Sequence, residues 1–257
     1  EPGDVLEIRI KKIVPKAFAT NFHLPGAQFP TVGQLGPEFP QGFVRYYYLD
    51  LEKKQTEFKP GINIDLQPFP WTIAVGPDPN EPKEKAGPPI RDAKGRTSTL
   101  RPWKNGSNMD LNELQEGSTL FLPVFVKGAL IWTGDSHCRQ GNGEVSLTAL
   151  ECAYREIVLQ PIVRKDMKLE WPRAETATHW IAMGFDEDLN EAMKIATEEC
   201  RRRGWPLQDV AVREGRRRGR YKVTFRCSTP EESVAVIEVD VPNRAVRRAS
   251  RRLTPHS

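Results

Sequence analysis

Prolines and glycines punctuate this chain throughout, 22 and 19 of them in 257 residues. The runs between them are short and mostly alternate between apolar and polar residues. Such a pattern leaves little room for helices, because proline removes a helix hydrogen bond and glycine raises the cost of helical order. Alternation at period two instead marks strands with one buried face. Asp4 to Val14 (DVLEIRIKKIV) is the clearest case, and Pro15 is expected to close it. Residues 43–51, 61–67, 71–75, 129–132 and 144–163 read as further strands. So does 118–126, where Pro123 points to an edge or a bulge. Residues 177–183 form another strand, and 220–227 with 234–241 a hairpin. One helix is expected, from near Asp186 to Arg203. There Leu189, Ala192, Met193, Ala196 and Cys200 recur at helical spacing, with acids at the start, arginines at the end and Gly204 as the stop.

The length suits one large domain or two small ones. Residues 16–42 read as a long shaped loop, and 76–102 as a polar surface linker. No segment approaches the roughly 18 apolar residues of a membrane span. The opening EPGDVLEIRI lacks the basic and apolar regions of a secretory signal, so a cytoplasmic protein is expected. None of the four cysteines forms a C-x-x-C pair, so free thiols are expected rather than a zinc finger. Charge is uneven. Residues 201–257 carry fourteen Arg and one Lys against six acids, a net of +9, which leaves −5 for the rest. A basic end can touch nucleic acid, but between residues 213 and 252 only Tyr221 and Phe225 are aromatic. A solvated charged face is the better reading, and a nucleic-acid partner is disfavoured. Residues 244–252 could form a short basic helix.

The chemistry concentrates in TGDSHCRQGNGEVSLTALE, residues 133–151. Asp135 and His137 stand at i and i+2, which in extended backbone puts both on one face. A carboxylate with an imidazole is the start of a divalent-metal site, although a hydrogen-bonded loop histidine gives the same pattern. Continuing the alternation from Glu144 sends Glu144 to a polar surface or cavity and draws Glu151 toward a core, where it needs a partner. Asn108 and Asp110, in NGSNMD, fit an Asx-turn and cap. His23 is a weaker candidate for a pocket mouth, and His179 reads as a satisfied, partly buried histidine.

GALIWTGDSHCRQGNGEVSLTALE, residues 128–151, resembles the acetamidase/formamidase family motif G-A-L-x-x-x-G-D-x-H-x-x-Q-G-D-G-E-V-x-x-T-A-x-E. Four further segments resemble the same family. NGSNMD with GSTLFLPVFVKG is similar to its G-G-N-M-D and following strand, and PFPWTIAVGPD to its P-F-x-G-x-I-G-V-A-P. EPGDVLEIRIKKI and PRAETATHWIAMGFDEDLNEAM match in the same way, so the resemblance runs from residue 1 to about 207.

The resemblance implies a mainly β fold with an α+β portion: a jelly-roll-like β-sandwich with one main helix near 186–203. It suggests a β-rich core over 1–165, with a site loop at 133–144, and an α+β portion over 166–257 with a basic tail. It implies metal-dependent hydrolysis of the C–N bond of short carboxamides, with zinc as the foremost divalent metal, a small amide as substrate and a homo-oligomeric assembly. By position, Asp135 and His137 become metal ligands and Glu144 the general base or acid. Asn108, Asp110, Gln140 and Glu151 become substrate or outer-shell residues. Asn142 replaces the motif's Asp, the family's segment before E-P-G-D is absent, and the pattern ends near Gln208. An inactive β-sandwich relative serving in binding or assembly is therefore the second reading.

Overall fold

The computed structural model describes residues 1–28, 37–81, 99, 102–141, 144, 147–177, 179–186 and 188–204, with the backbone of 221–229 and 232–240. In chain order the strands are β1 (Val5–His23), β2 (Phe43–Tyr48), β3 (Gln55–Lys59), β4 (Ile62–Asp65), β5 (Phe69–Ala74), β6 (Gly106–Asn108) and β7 (Thr119–Pro123). Then come β8 (Trp132–Gln140), β9 (Ala149–Arg164), β10 (Arg173–Glu175) and β11 (His179–Asp186). Helix α1 (Leu189–Arg202) precedes the hairpin of β12 (Tyr221–Thr229) and β13 (Glu232–Asp240). The mainly β class with one helix is thus what the described residues show. Among them no helix is long and apolar enough to cross a membrane.

Eleven strands form one sheet in the order β12-β13-β11-β10-β7-β1-β9-β8-β5-β6, with β2 added to β1; β3 and β4 make a separate hairpin. The named strand pairs are all antiparallel.

Strand β1 is the spine. It pairs with β9 along most of its length, and on its other edge with β7 at Val5–Arg9 and with β2 at Phe18–His23. Pro15 does not close it, contrary to the sequence expectation. The β1–β9 register slips at Ile10/Lys12, Val14/Pro15 and Pro15/Ala19, and a bulge takes a residue that lacks an N–H. Pro123 likewise marks no edge. Strand β7 lies between β1 and β10, and Pro123 is its last residue, opposite Val5.

The alternation of β1 sends Leu6, Ile8 and Ile10 into the main core with Leu120, Leu122, Ala174, Ile181 and Met183. Each such side chain contributes about 2 kcal/mol on burial. Glu7, on the opposite face, is buried between Arg9 at 2.7 Å and Arg164 at 2.6 Å. A second cluster of Ala19, Tyr47, Leu49, Leu66, Cys138 and Leu150 packs beneath the far half of the spine.

Helix α1 begins at Leu189, later than the start near Asp186 that the sequence suggests, because Asp186 still belongs to β11. The Asp188 carboxylate accepts from the backbone N–H groups of Asn190 and Glu191, and Arg201 and Arg202 occupy the last turn. Ala192, Ala196 and Cys200 are buried. Gly184 of β11 lies directly under the backbone of Ala192 and Ala196. The proposed basic helix at 244–252 and most of the linker at 76–102 lie outside the described residues.

Candidate metal centre

Strand β8 carries the centre. Most of the stretch expected as a site loop at 133–144 is strand, from Trp132 to Gln140, flanked by β5 and β9. Its regularity fails at two points. Asp135 has φ +49°, and the register against β9 slips between His137 and Arg139, which leaves Cys138 as the extra residue. Gln67 N–H donates to the Cys138 carbonyl at 2.7 Å, so the bulge keeps its hydrogen bonding. The Cys138, Cys152 and Cys200 thiols are free.

His137 pairs in register with Phe69 on one side and Glu151 on the other. Its Nε2 lies 2.7 Å from Glu151 Oε2 and 3.6 Å from Asp135 Oδ1. One nitrogen and two carboxylate oxygens thus gather with all three atoms within 4.8 Å of one another. This is an imidazole–carboxylate donor set of the kind that takes a divalent cation and leaves further coordination positions open. His137 Nδ1 faces Gln140 Oε1 at 3.4 Å, the outer hydrogen bond that fixes which ring nitrogen stays available. The residues present therefore fit a divalent ion.

The surroundings hold the imidazole rigidly. Trp71 stacks on it with ring centroids 4.5 Å apart at 27°, and Phe69 meets it edge-on at 5.7 Å. The Tyr154 hydroxyl bonds the carbonyls of Phe69 and His137, pinning β5 and β8 together, and burial pushes that hydroxyl's pKa up. His137 is wholly buried, whereas the Asp135 side chain is 41% exposed and that of Glu151 is 19%. Access to the cluster is thus from the carboxylate side. Burial pushes Asp135 up to about 6; the neighbouring His137 opposes that shift and the Glu151 carboxylate adds to it.

The structure brings Asp135 and His137 together as their spacing suggests, and adds Glu151, which the sequence reading placed in an outer or substrate role. Gln140 joins through His137, its main-chain carbonyl held by Asn112 Nδ2 at 3.3 Å. Glu144 is buried but lies outside the three-residue cluster. It sits in a turn at φ +44°, its N–H bonded to the Gly141 carbonyl, and regular strand begins only at Ala149. Asn108, at the end of β6, pairs with Thr72 of β5, and both it and Asp110, at φ +52°, are buried. Asn142 lies outside the described residues. His23 ends β1 between Phe39 and Phe43, and His179 is a partly buried strand residue of β11. Trp71, Phe69 and Tyr154 escape sequence reasoning. Only strand pairing carries them to His137, although the PFPW segment was legible as part of the family pattern.

The fold is shared with solved structures described as acetamidases. It superposes on the crystal structure of a recombinant predicted acetamidase/formamidase from Thermoanaerobacter tengcongensis with a TM-score of 0.73 at 23% identity. That match covers 93% of this chain and 73% of the other. Within this fold, residues 83–171 match the sequence model of the Acetamidase/Formamidase family, a stretch that contains Asp135, His137 and Glu151. The resemblance read from the motifs is borne out. The acetamidase of Mycolicibacterium smegmatis is 28% identical over 188 residues, 57% of this chain and 46% of its own length. The formamidase of Methylophilus methylotrophus is 39% identical over 56 residues, 21% of this chain and 14% of its own. The aligned stretches thus span less than half of either relative.

Proposed function

We propose that this chain hydrolyses the C–N bond of short carboxamides, releasing a carboxylate and ammonia, with a divalent ion, zinc foremost, held by Asp135, His137 and Glu151. The observation that carries the reading is the coincidence of this donor cluster with the stretch that matches the family. An amide is a poor electrophile and its amine a poor leaving group. A bound divalent ion supplies positive charge that polarises a carbonyl and acidifies water. The chain's own residues do the rest. Gln140 holds the His137 ring in one tautomer and can offer its amide N–H to the substrate; its Nε2 has no hydrogen-bond partner among the described residues. Glu144 is the proton carrier, taking a proton from attacking water and delivering it to the departing nitrogen. Asn108 and Asp110 order the pocket wall.

The test is ammonia release from formamide and acetamide by the zinc-loaded chain, with and without a chelator. Turnover that stops on chelation and returns with metal is the expected result. No bound metal and no ammonia from any short amide would overturn the reading in favour of an inactive relative.

Metal uptake should also depend on pH in a defined direction. With its pKa raised to about 6, Asp135 in the metal-free protein is neutral below that pH and charged above it. A proton on Asp135 competes with a cation. Apparent metal affinity is therefore expected to fall as pH drops through about 6, and to be restored above about 7. Metal titrations at a series of pH values check this; affinity that is flat from about pH 5 to 8 contradicts it.

A further inference from the structure

Trp71 occupies a distinctive place at the centre. It lies in β5 between two β8 register pairs, Pro70 with Ser136 and Thr72 with Gly134, so it stands across from Asp135, the most exposed of the three donors. Its ring covers one face of an imidazole that has no exposure of its own, while the indole itself is partly exposed. The indole Nε1 has no hydrogen-bond partner among the described residues, so packing alone sets the ring's position. In the P-F-x-G pattern that PFPW resembles, this place belongs to glycine, which puts no side chain there.

From this geometry we infer that Trp71 sets the acyl-length limit of the site. The inference rests on the amide reading above, because it assumes that a carboxamide or carboxylate directs its oxygen at the Asp135–His137–Glu151 cluster. A ligand entering from the carboxylate side meets the indole beside Asp135. Its acyl group must then fit the space that the ring leaves. Formyl and acetyl groups are admitted, and longer or aromatic acyl groups meet the ring. Removing the ring vacates the space over the His137 face that the indole covers, where added methylenes can be buried.

Carboxylate binding to the zinc-loaded full chain tests this without requiring turnover. Formate, acetate, butyrate and benzoate are titrated calorimetrically into wild type, Trp71→Gly and Trp71→Phe. The ratio of benzoate to formate affinity is expected to rise by about tenfold or more in Trp71→Gly, the scale on which a pocket senses added apolar groups. Trp71→Phe, a smaller ring, should move the ratio in the same direction by about threefold, and it keeps the test decisive if the glycine variant fails to fold. Ratios that are the same in wild type and variants overturn the assignment of Trp71 while leaving the amide reading standing. A zinc-loaded wild type that binds none of the four carboxylates overturns both.

Discussion

Replacing His137 by alanine is expected to weaken zinc binding by at least about a hundredfold and to abolish any ammonia release. The imidazole is the one nitrogen donor of the cluster, and it sits between the two carboxylates, 2.7 Å from Glu151 and 3.6 Å from Asp135. Without it the two acids face each other with no positive or neutral partner between them. The gap left under Trp71 also frees the geometry that Gln140 and Tyr154 maintain. Because His137 is fully buried, alanine leaves a cavity, so His137→Gln serves as a second variant of nearer volume. Metal content after dialysis, measured with the unfolding midpoint of each variant, separates loss of the ligand from loss of the fold. Wild-type metal content in either folded variant would overturn the assignment of the centre.

Gly184→Ala should be among the most destabilising single-methyl changes in the chain, costing about 3 kcal/mol. A Cβ at this position of β11 would overlap the Ala192 carbonyl oxygen and press to 2.8 Å from the Ala196 backbone nitrogen. These are helix backbone atoms, which cannot turn aside as a side-chain end does. Helix α1 would have to lift from the sheet, undoing the burial of Ala192, Ala196 and Cys200. Urea unfolding checks this. A midpoint within error of wild type would show that the helix rides more loosely on β11 than the geometry indicates.

How much of this was legible in the chain varies with how local the cause is. Helix α1 was legible to within a turn because its acidic start, its apolar face and its basic end are consecutive signals. The partnership of Asp135 with His137 was also legible, from spacing alone. The place of Glu151 beside His137 was hidden, since counting alternation from Glu144 presumes a strand already begun there, whereas β9 starts only at Ala149. The turn through Glu144 and Leu147, both at positive φ, resets the phase. Strand β3, QTEFK, has too little apolar content to announce itself, and its place comes from pairing with β4. Strand β8 looked like loop because of its glycine and polar residues, yet it is tied between two neighbours. The Trp71 contact is the least legible of all, because 66 residues separate it from His137 in the numbering and only the β5–β8 register joins them.

The long pairing of β1 with β9 also orders events at the ribosome. Val5 meets Arg164 and Thr20 meets Glu151, so β1 is made long before its main partner, β9, exists. Closing so large a loop is entropically slow, and until it closes β1 has only β2 and β7 to pair with. Glu151, which stands beside His137, arrives on that same late strand. A nascent chain therefore leaves the β9 edge of its spine open while the intervening elements are made, and that edge is open to wrong pairing until β9 is in place.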